Sequence, residues 1–338
     1  MNAHCGTAEL AVYSATKGLA AMTLALAHSR GWLDYEQSVS RYWPEFAQEG
    51  KERVTVRQLL AHQAGLFALD QPIDRDLVAD LDRLAVVLAR QKPAWEPGTR
   101  QGYHAITLGF YEAEILRRLD PRHRSLGQFF QDEIASPLGL DVYIRLPESI
   151  PDSRLATIVR PGLVEMLRGF GPRFMLEAMN SHSNINRSLR GSELPHDAQR
   201  IYARNLEVPS GGAVGTARAI AHAYSVFATG GHELGLRPET LRLLAAPAIP
   251  LAQGFHDECL KADGVQFSLG FMKSSAVWPF GSAGSFGFPG SGGSLGFADP
   301  TAGIGYAYVT SQMGTQLTGD ARDLALREAL YSVLRTSR

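Results

Sequence analysis

Two cysteines in 338 residues exclude a disulfide-stapled scaffold and a cysteine-rich metal cluster, and Cys5 and Cys259 stand at no ligand-like spacing. A reducing, cytoplasmic setting is the expectation. No apolar run approaches the ~18 residues a membrane-spanning helix needs, so stable membrane insertion is not expected. The opening MNAHCGTAEL lacks both a basic segment and an apolar core, and no signal peptide is read there. Charge of one sign is also missing: 33 basic against 34 acidic residues give a net charge of −1, and the basic residues are scattered. That pattern does not fit a nucleic-acid partner. Ten histidines include no His-Glu-x-x-His pattern, so no metal is expected. The G-x-G-x-x-G spacing is absent, and no Lys-Ser or Lys-Thr follows the glycines near 287–293, which excludes a nucleotide cofactor. No repeat of fixed period is present.

What is present is an ordinary globular balance, 45% apolar and 20% charged, enough for one large or two modest domains. Leu19, Met22 and Leu26 recur at helical steps among alanines, predicting a helix over 15–30, apolar on most sides and ending near Gly31. In VTVRQLLAHQAGL, Thr55 is the expected N-cap of a helix that stops at Gly65. Further helices are predicted over 74–92, 105–119 and 216–228, and a last one over 320–334. Residues 162–180 look amphipathic but broken at Gly171-Pro172, and 181–205 read as loop. Residues 265–274 alternate Val265, Phe267, Leu269 and Phe271 as one half-buried strand. SLGFADP and IGYAYVTS read as two antiparallel strands joined by a tight turn. Helices first, then an antiparallel sheet, then a closing helix predict an α+β fold.

Three stretches carry chemistry. In VYSATKGLAAM, Ser14 and Lys17 lie three residues apart at the start of a helix, hence on one face. A serine hydroxyl needs an adjacent base to act as a nucleophile, and a lysine serves if burial disfavours its ammonium form. The same four residues also describe a capped helix with a surface lysine. The helix beyond Lys17 has almost no polar face, which favours a buried lysine. In WEPGTRQGYHAITLG, Tyr103 precedes a new helix and is a candidate proton shuttle, or else a packing tyrosine. In FGFPGSGGSLGF, Gly287, Gly290, Gly292 and Gly293 beside a strand allow close approach of a ligand or another backbone.

Together these stretches, with GWLDYEQSVSRYWPEFAQEGKERVTVRQLLAHQAGL, PLGLD and TARAIAHAYSVFATGG in the same order, resemble the serine β-lactamase and penicillin-binding-protein superfamily, above all its family VIII carboxylesterase-like members. The resemblance implies a β-lactamase/transpeptidase-like fold: an antiparallel sheet flanked by helices (residues 1–60 with 206–338) and a mainly helical subdomain (61–205), with the active site between them. It implies that Ser14 is acylated, that Lys17 is its base or base partner, and that Tyr103 relays a proton. It further implies that the N–H groups of Ser14 and Ser291 form an oxyanion hole. Phe288, Gly290 and His104 then complete the substrate-binding residues, and no cofactor is required. The chain departs from the pattern in three places. Tyr103-His104-Ala105 replaces the common Tyr-x-Asn, and Phe288 stands where relatives carry Lys, His or Trp. Only thirteen residues precede Ser14, where relatives have a helix and two strands. The expectation is an N-terminally shortened form with an unpaired sheet edge over 265–311 and room for homo-oligomers.

Lacking a cation at Phe288, the site is expected to take neutral carboxylic esters rather than penicillins or peptidoglycan. A β-lactamase or D-alanyl carboxypeptidase is the alternative enzyme, and a catalytically silent scaffold the alternative outside enzymes. For 162–180, core packing is expected over a lid on the cleft or a membrane contact.

Overall fold

Every residue of helix α1 (Thr16–Ser29) is buried, as a helix apolar on all sides requires, and the rest of the chain is arranged around it. The computed structural model describes residues 9–191, 194, 206–316 and 319–336. Strand β1 (Leu10–Ala11) enters α1 through a tight turn at Tyr13–Ala15. Then follow α2 (Val39–Tyr42), α3 (Val56–Leu60), α4 (Arg75–Ala79), α5 (Leu81–Arg90), α6 (Thr107–Leu119) and α7 (Leu126–Phe130). Strand β2 (Val142–Tyr143), helices α8 (Leu163–Met179) and α9 (Asn184–Ser188), strand β3 (Val214–Gly215) and helices α10 (Ala217–Ala228) and α11 (Pro238–Ala245) come next. The chain closes with β4 (Phe267–Ser268), β5 (Phe271–Lys273), β6 (Phe286–Pro289), β7 (Leu295–Asp299), β8 (Ile304–Tyr308) and α12 (Ala321–Thr336).

Strands β4 to β8 form one antiparallel sheet in sequence order. On one face α1 packs against β5 and β6, while α10 lies along β7 and β8. On its other side α1 meets α6 and α7, so it is the shared wall between sheet and helices. A small sheet, β1-β3-β2, ties the approach to Ser14 to the segment before α10 through the pairs Leu10↔Gly215 and Val142↔Gly215. One apolar core runs from α1 through α6 and α7 to Leu269 and Phe286, across the division drawn from sequence. Strands β4 and β8 are the two edges of the five, and all residues of β8 are half-buried. Among the described residues no helix is long and apolar enough to cross a membrane.

Several elements depart from expectation. The single strand predicted over 265–274 is a hairpin, β4 and β5, turning at Leu269 (φ 52°) and Gly270 (φ 86°). The apolar alternation persists because both short strands bury side chains, and periodicity alone does not reveal the reversal. The α3 helix keeps its Thr55 cap, with Gln58 N–H donating to Thr55 Oγ1 at 3.1 Å, but ends at Leu60 because His62 takes a left-handed φ of 60°. The 74–92 helix is divided at Asp80, whose carboxylate caps the Arg83 N–H at 3.0 Å. Helix α8 runs through Gly171 and Pro172 without ending. A proline removes one main-chain donor but the helix continues past it, and Met166 on one side and Phe174 and Met175 on the other line a cavity. The expected 181–205 loop contains α9; residues 192, 193 and 195–205, like Cys5 and the rest of 1–8, lie outside the described residues.

Candidate active site

Ser14 stands in the turn between β1 and α1, half-exposed at the wall of a cavity of about 330 Å³. The turn is held from both sides: Val12 N–H donates to Ala213 O (3.0 Å) and Ala15 N–H to Val12 O (3.1 Å). Tyr13 adopts φ 48°, a left-handed conformation that a bulky side chain rarely takes. Thr16 braces it, its hydroxyl donating to Tyr13 O at 2.5 Å and accepting from Ala213 N–H at 3.0 Å. This forced turn is what presents the Ser14 side chain outward while α1 stays buried.

Lys17, one turn on, is 0% exposed. Its Nζ lies 2.6 Å from Ala105 O, 2.8 Å from Ser210 O and 3.2 Å from Ser14 Oγ. Burial brings its pKa down from 10.5 to about 7, opposed by the charge of Glu112. The Tyr103 hydroxyl also donates to Ser14 Oγ, at 2.9 Å, and Lys17 Nζ lies over the Tyr103 ring, 5.0 Å from its centroid. Burial raises the phenol's pKa further, with the Ser14 hydrogen bond lowering it and the charge of Asp257 adding to the rise. Of Ser14's two neighbours, the amine therefore reaches its basic form closer to neutrality.

The Tyr103 ring is fixed by stacking on Phe267 (5.7 Å between centroids, 9° between planes) and Phe288 (6.1 Å, 23°). Its backbone N–H donates to Asp257 Oδ1 at 3.2 Å, a carboxylate that also accepts from Cys259 and Leu260 N–H. His62 holds the same loop twice, through its carbonyl to Gly102 N–H (3.0 Å) and its Nδ1 to His104 N–H (3.0 Å). His62 and Asp257 were missed in the sequence because each supports Tyr103 from a distant segment.

Phe288, Gly290 and Ser291 line the same cavity as Ser14 and Tyr103. At Gly290 the end of β6 meets the Ser14 turn so closely that a Cβ would lie 2.1 Å from Val12 O. His104 is a correction: it does not reach the cavity. It is fully buried, its Nε2 accepting from Leu66 N–H at 3.0 Å, which leaves Nδ1–H to donate to Gly102 O at 2.7 Å. Burial pushes its pKa down to about 3, so it is a neutral brace beneath Tyr103.

The far wall is apolar. Met166, Phe174, Met175 and Ala178 of α8 cover it, opposite Leu260, Met272 and Trp278. Helix α8 thus covers the cleft through these side chains, while Leu176 and Met179 are exposed. Every described residue lining the cavity is uncharged. Among the described residues no group of His, Cys, Asp or Glu is placed to hold a metal.

Known proteins share this architecture. The family model described as Beta-lactamase matches residues 10–331. The esterase/beta-lactamase LipL of Mycobacterium tuberculosis is 32% identical over 241 residues, 67% of this chain and 52% of that protein, so the match spans about half of LipL's length. A family VIII carboxylesterase structure superposes with a TM-score of 0.80 at 32% identity, covering 96% of this chain and 84% of that one. EstA from Arthrobacter nitroguajacolicus gives a TM-score of 0.85 at 31% identity, covering 98% and 86%.

Proposed function

Because the chain belongs to the Beta-lactamase family, serine hydrolases of esterase and β-lactamase type, we propose that it cleaves neutral carboxylic esters through an acyl-enzyme on Ser14. The observation that carries this is the position of Ser14 Oγ between Lys17 Nζ and Tyr103 Oη on the wall of an uncharged cavity.

As an ammonium, Lys17 Nζ donates to Ala105 O, Ser210 O and Ser14 Oγ. Once it loses one proton near neutrality, its two remaining N–H groups serve the two carbonyls and its lone pair is free to take the Ser14 proton. In acylation Ser14 Oγ attacks the ester carbonyl carbon and its proton passes to Lys17. The carbonyl oxygen becomes an oxyanion facing the N–H groups of Ser14 and Ser291. As the tetrahedral intermediate collapses, the carbon–oxygen bond to the alcohol breaks, and Tyr103 passes the proton from Lys17 to the departing oxygen. Water then attacks the acyl carbon, loses a proton by the same route in reverse, and releases the acid.

The lining, uncharged and largely apolar among the described residues, supports an uncharged substrate: a carboxylate brought there would lose hydration. The names of LipL, the family VIII carboxylesterase and EstA are in keeping with ester chemistry. Hydrolysis of p-nitrophenyl esters tests the proposal. A burst of nitrophenol equal to the enzyme present, lost in Ser14→Ala, is expected. Nitrocefin turnover far above ester turnover would replace the esterase by a β-lactamase, and no turnover of either by folded protein would leave a silent scaffold.

A further inference from the structure

We propose that Trp278 is a specificity-determining residue: it is the removable part of a partition between the Ser14 cavity and a second cavity, and it limits the length of the apolar chain an ester can carry. The role rests on the ester reading above and adds to it which esters fit.

Three residues, Met272, Trp278 and Pro289, border both the Ser14 cavity and a second cavity of about 150 Å³. Residues that border both form the wall between them. Two of the three are held by the sheet: Met272 on β5 pairs with Gly287, and Pro289 at the end of β6 pairs with Leu295. Trp278 lies instead in the connection from β5 to β6 and is half-buried. It packs on the apolar cluster that includes Met272, Phe280 and Phe288. Its main chain is anchored separately. The N–H donates to Ser275 Oγ and the carbonyl accepts from Ser275 N–H, both at 3.3 Å. Trimming the side chain therefore opens the partition while the connection keeps these anchors.

The second cavity suits a hydrocarbon chain. Among the described residues, Val277, Phe280, Leu295 and Leu324 give it apolar surface. Its charged groups are already paired. Arg327 donates to Asp323 at 2.8 Å and to Pro279 O at 2.9 Å, and Asp323 also accepts from Tyr306 Oη at 2.9 Å. Asp320 is held by Arg322 at 2.6 Å. An ion entering there would have to compete with these pairs, whereas a methylene chain needs only the apolar side. With the indole in place the chain stops at Trp278. With it trimmed, each further methylene that is buried is worth about fourfold in kcat/KM.

The test is kcat/KM of the full chain on two ester series with chains of four, eight and twelve carbons. In p-nitrophenyl alkanoates the acid lengthens; in alkyl acetates the alcohol does. Wild type is expected to lose rate toward the long end of the series whose chain meets the indole. In that series Trp278→Ala should raise the twelve- to four-carbon ratio about tenfold or more. Leu324→Trp, which fills the second cavity from α12, should cancel that gain in the Trp278→Ala background. A ratio that Trp278→Ala leaves unchanged in both series overturns the role of Trp278. So does a gain that Leu324→Trp fails to cancel, the mark of a loosened site, and so does a wild type that takes twelve carbons as well as four in both series. Should Trp278→Ala not fold, Trp278→Leu opens the same partition by less and is read in the same way. Wild type that cleaves no ester of either series overturns the ester proposal itself, and the role of Trp278 with it.

Discussion

Gly290→Ala is the sharpest steric test of how the site is assembled. The added Cβ would stand 2.1 Å from Val12 O and 3.2 Å from Ala15 N. An unstrained carbon–oxygen contact is about 3.3 Å, so the seam must open by roughly 1 Å. Neither side can yield as a side chain would. Val12 is tied by its N–H to Ala213 and by its carbonyl to Ala15 N–H, and Gly290 N–H is held by Ser294 O at 2.6 Å. The end of β6 is therefore pushed away from the Ser14 turn, carrying Phe288 and Ser291 with it. Overpacking of this kind costs about 1–3 kcal/mol of stability. A 1 Å misplacement at a reacting centre costs on the order of 10²-fold in rate. The assay is kcat/KM on a p-nitrophenyl ester alongside the melting temperature. The expected outcome is a rate loss of that order in protein that still melts cooperatively. A variant with wild-type kcat/KM and wild-type Tm would refute the proposed seam between β6 and Ser14.

Three further outcomes are expected. Tyr103→Phe keeps the stacking on Phe267 and Phe288 but deletes the hydroxyl 2.9 Å from Ser14 Oγ; kcat should fall by roughly 10²–10⁴ with little change in Tm, and an undiminished kcat would remove Tyr103 from the proton path. Wild-type kcat/KM should decline as pH falls through about 7, because Lys17 then takes up the proton that disables it as a base; a rate that holds steady well below that pH contradicts the assignment. Lys273, almost fully buried and donating to Leu244 O at 2.6 Å, has its pKa lowered by burial from 10.5 to about 7. Between those values the unfolded chain binds the proton more readily, so stability climbs as pH rises through this window and is lost as pH falls toward 7. Lys273→Met should flatten that climb and be the more stable protein at pH 7 in urea titrations; an unchanged slope would refute the burial effect.

Much of the fold was legible because it rests on local chemistry. The all-apolar stretch after Lys17 is the central helix, Thr55 caps where its position suggests, and the Asp-Pro turn joins β7 to β8 with Asp299 opposite Ile304. What escaped depends on contacts between distant segments. The β4–β5 reversal is set by Leu269 and Gly270 beside α1 and Glu112, which no alternation pattern records. Helix α8 crosses a Gly-Pro pair that the sequence reads as a break, and it covers a cavity built by other elements. The Ser14–Lys17–Tyr103 grouping was within reach because two members share one helical turn and the third begins another element. His104 adjoins Tyr103 in sequence but turns into the core, where the main chain of residues 66 and 102 claims both ring nitrogens.

The most direct test of the central claim is to incubate the protein with a fluorophosphonate, weigh the intact chain, and map the adduct by peptide sequencing. The account predicts one phosphonyl group per chain, on Ser14, and none in Ser14→Ala. An adduct on another residue, or labelling that survives the substitution, would contradict it.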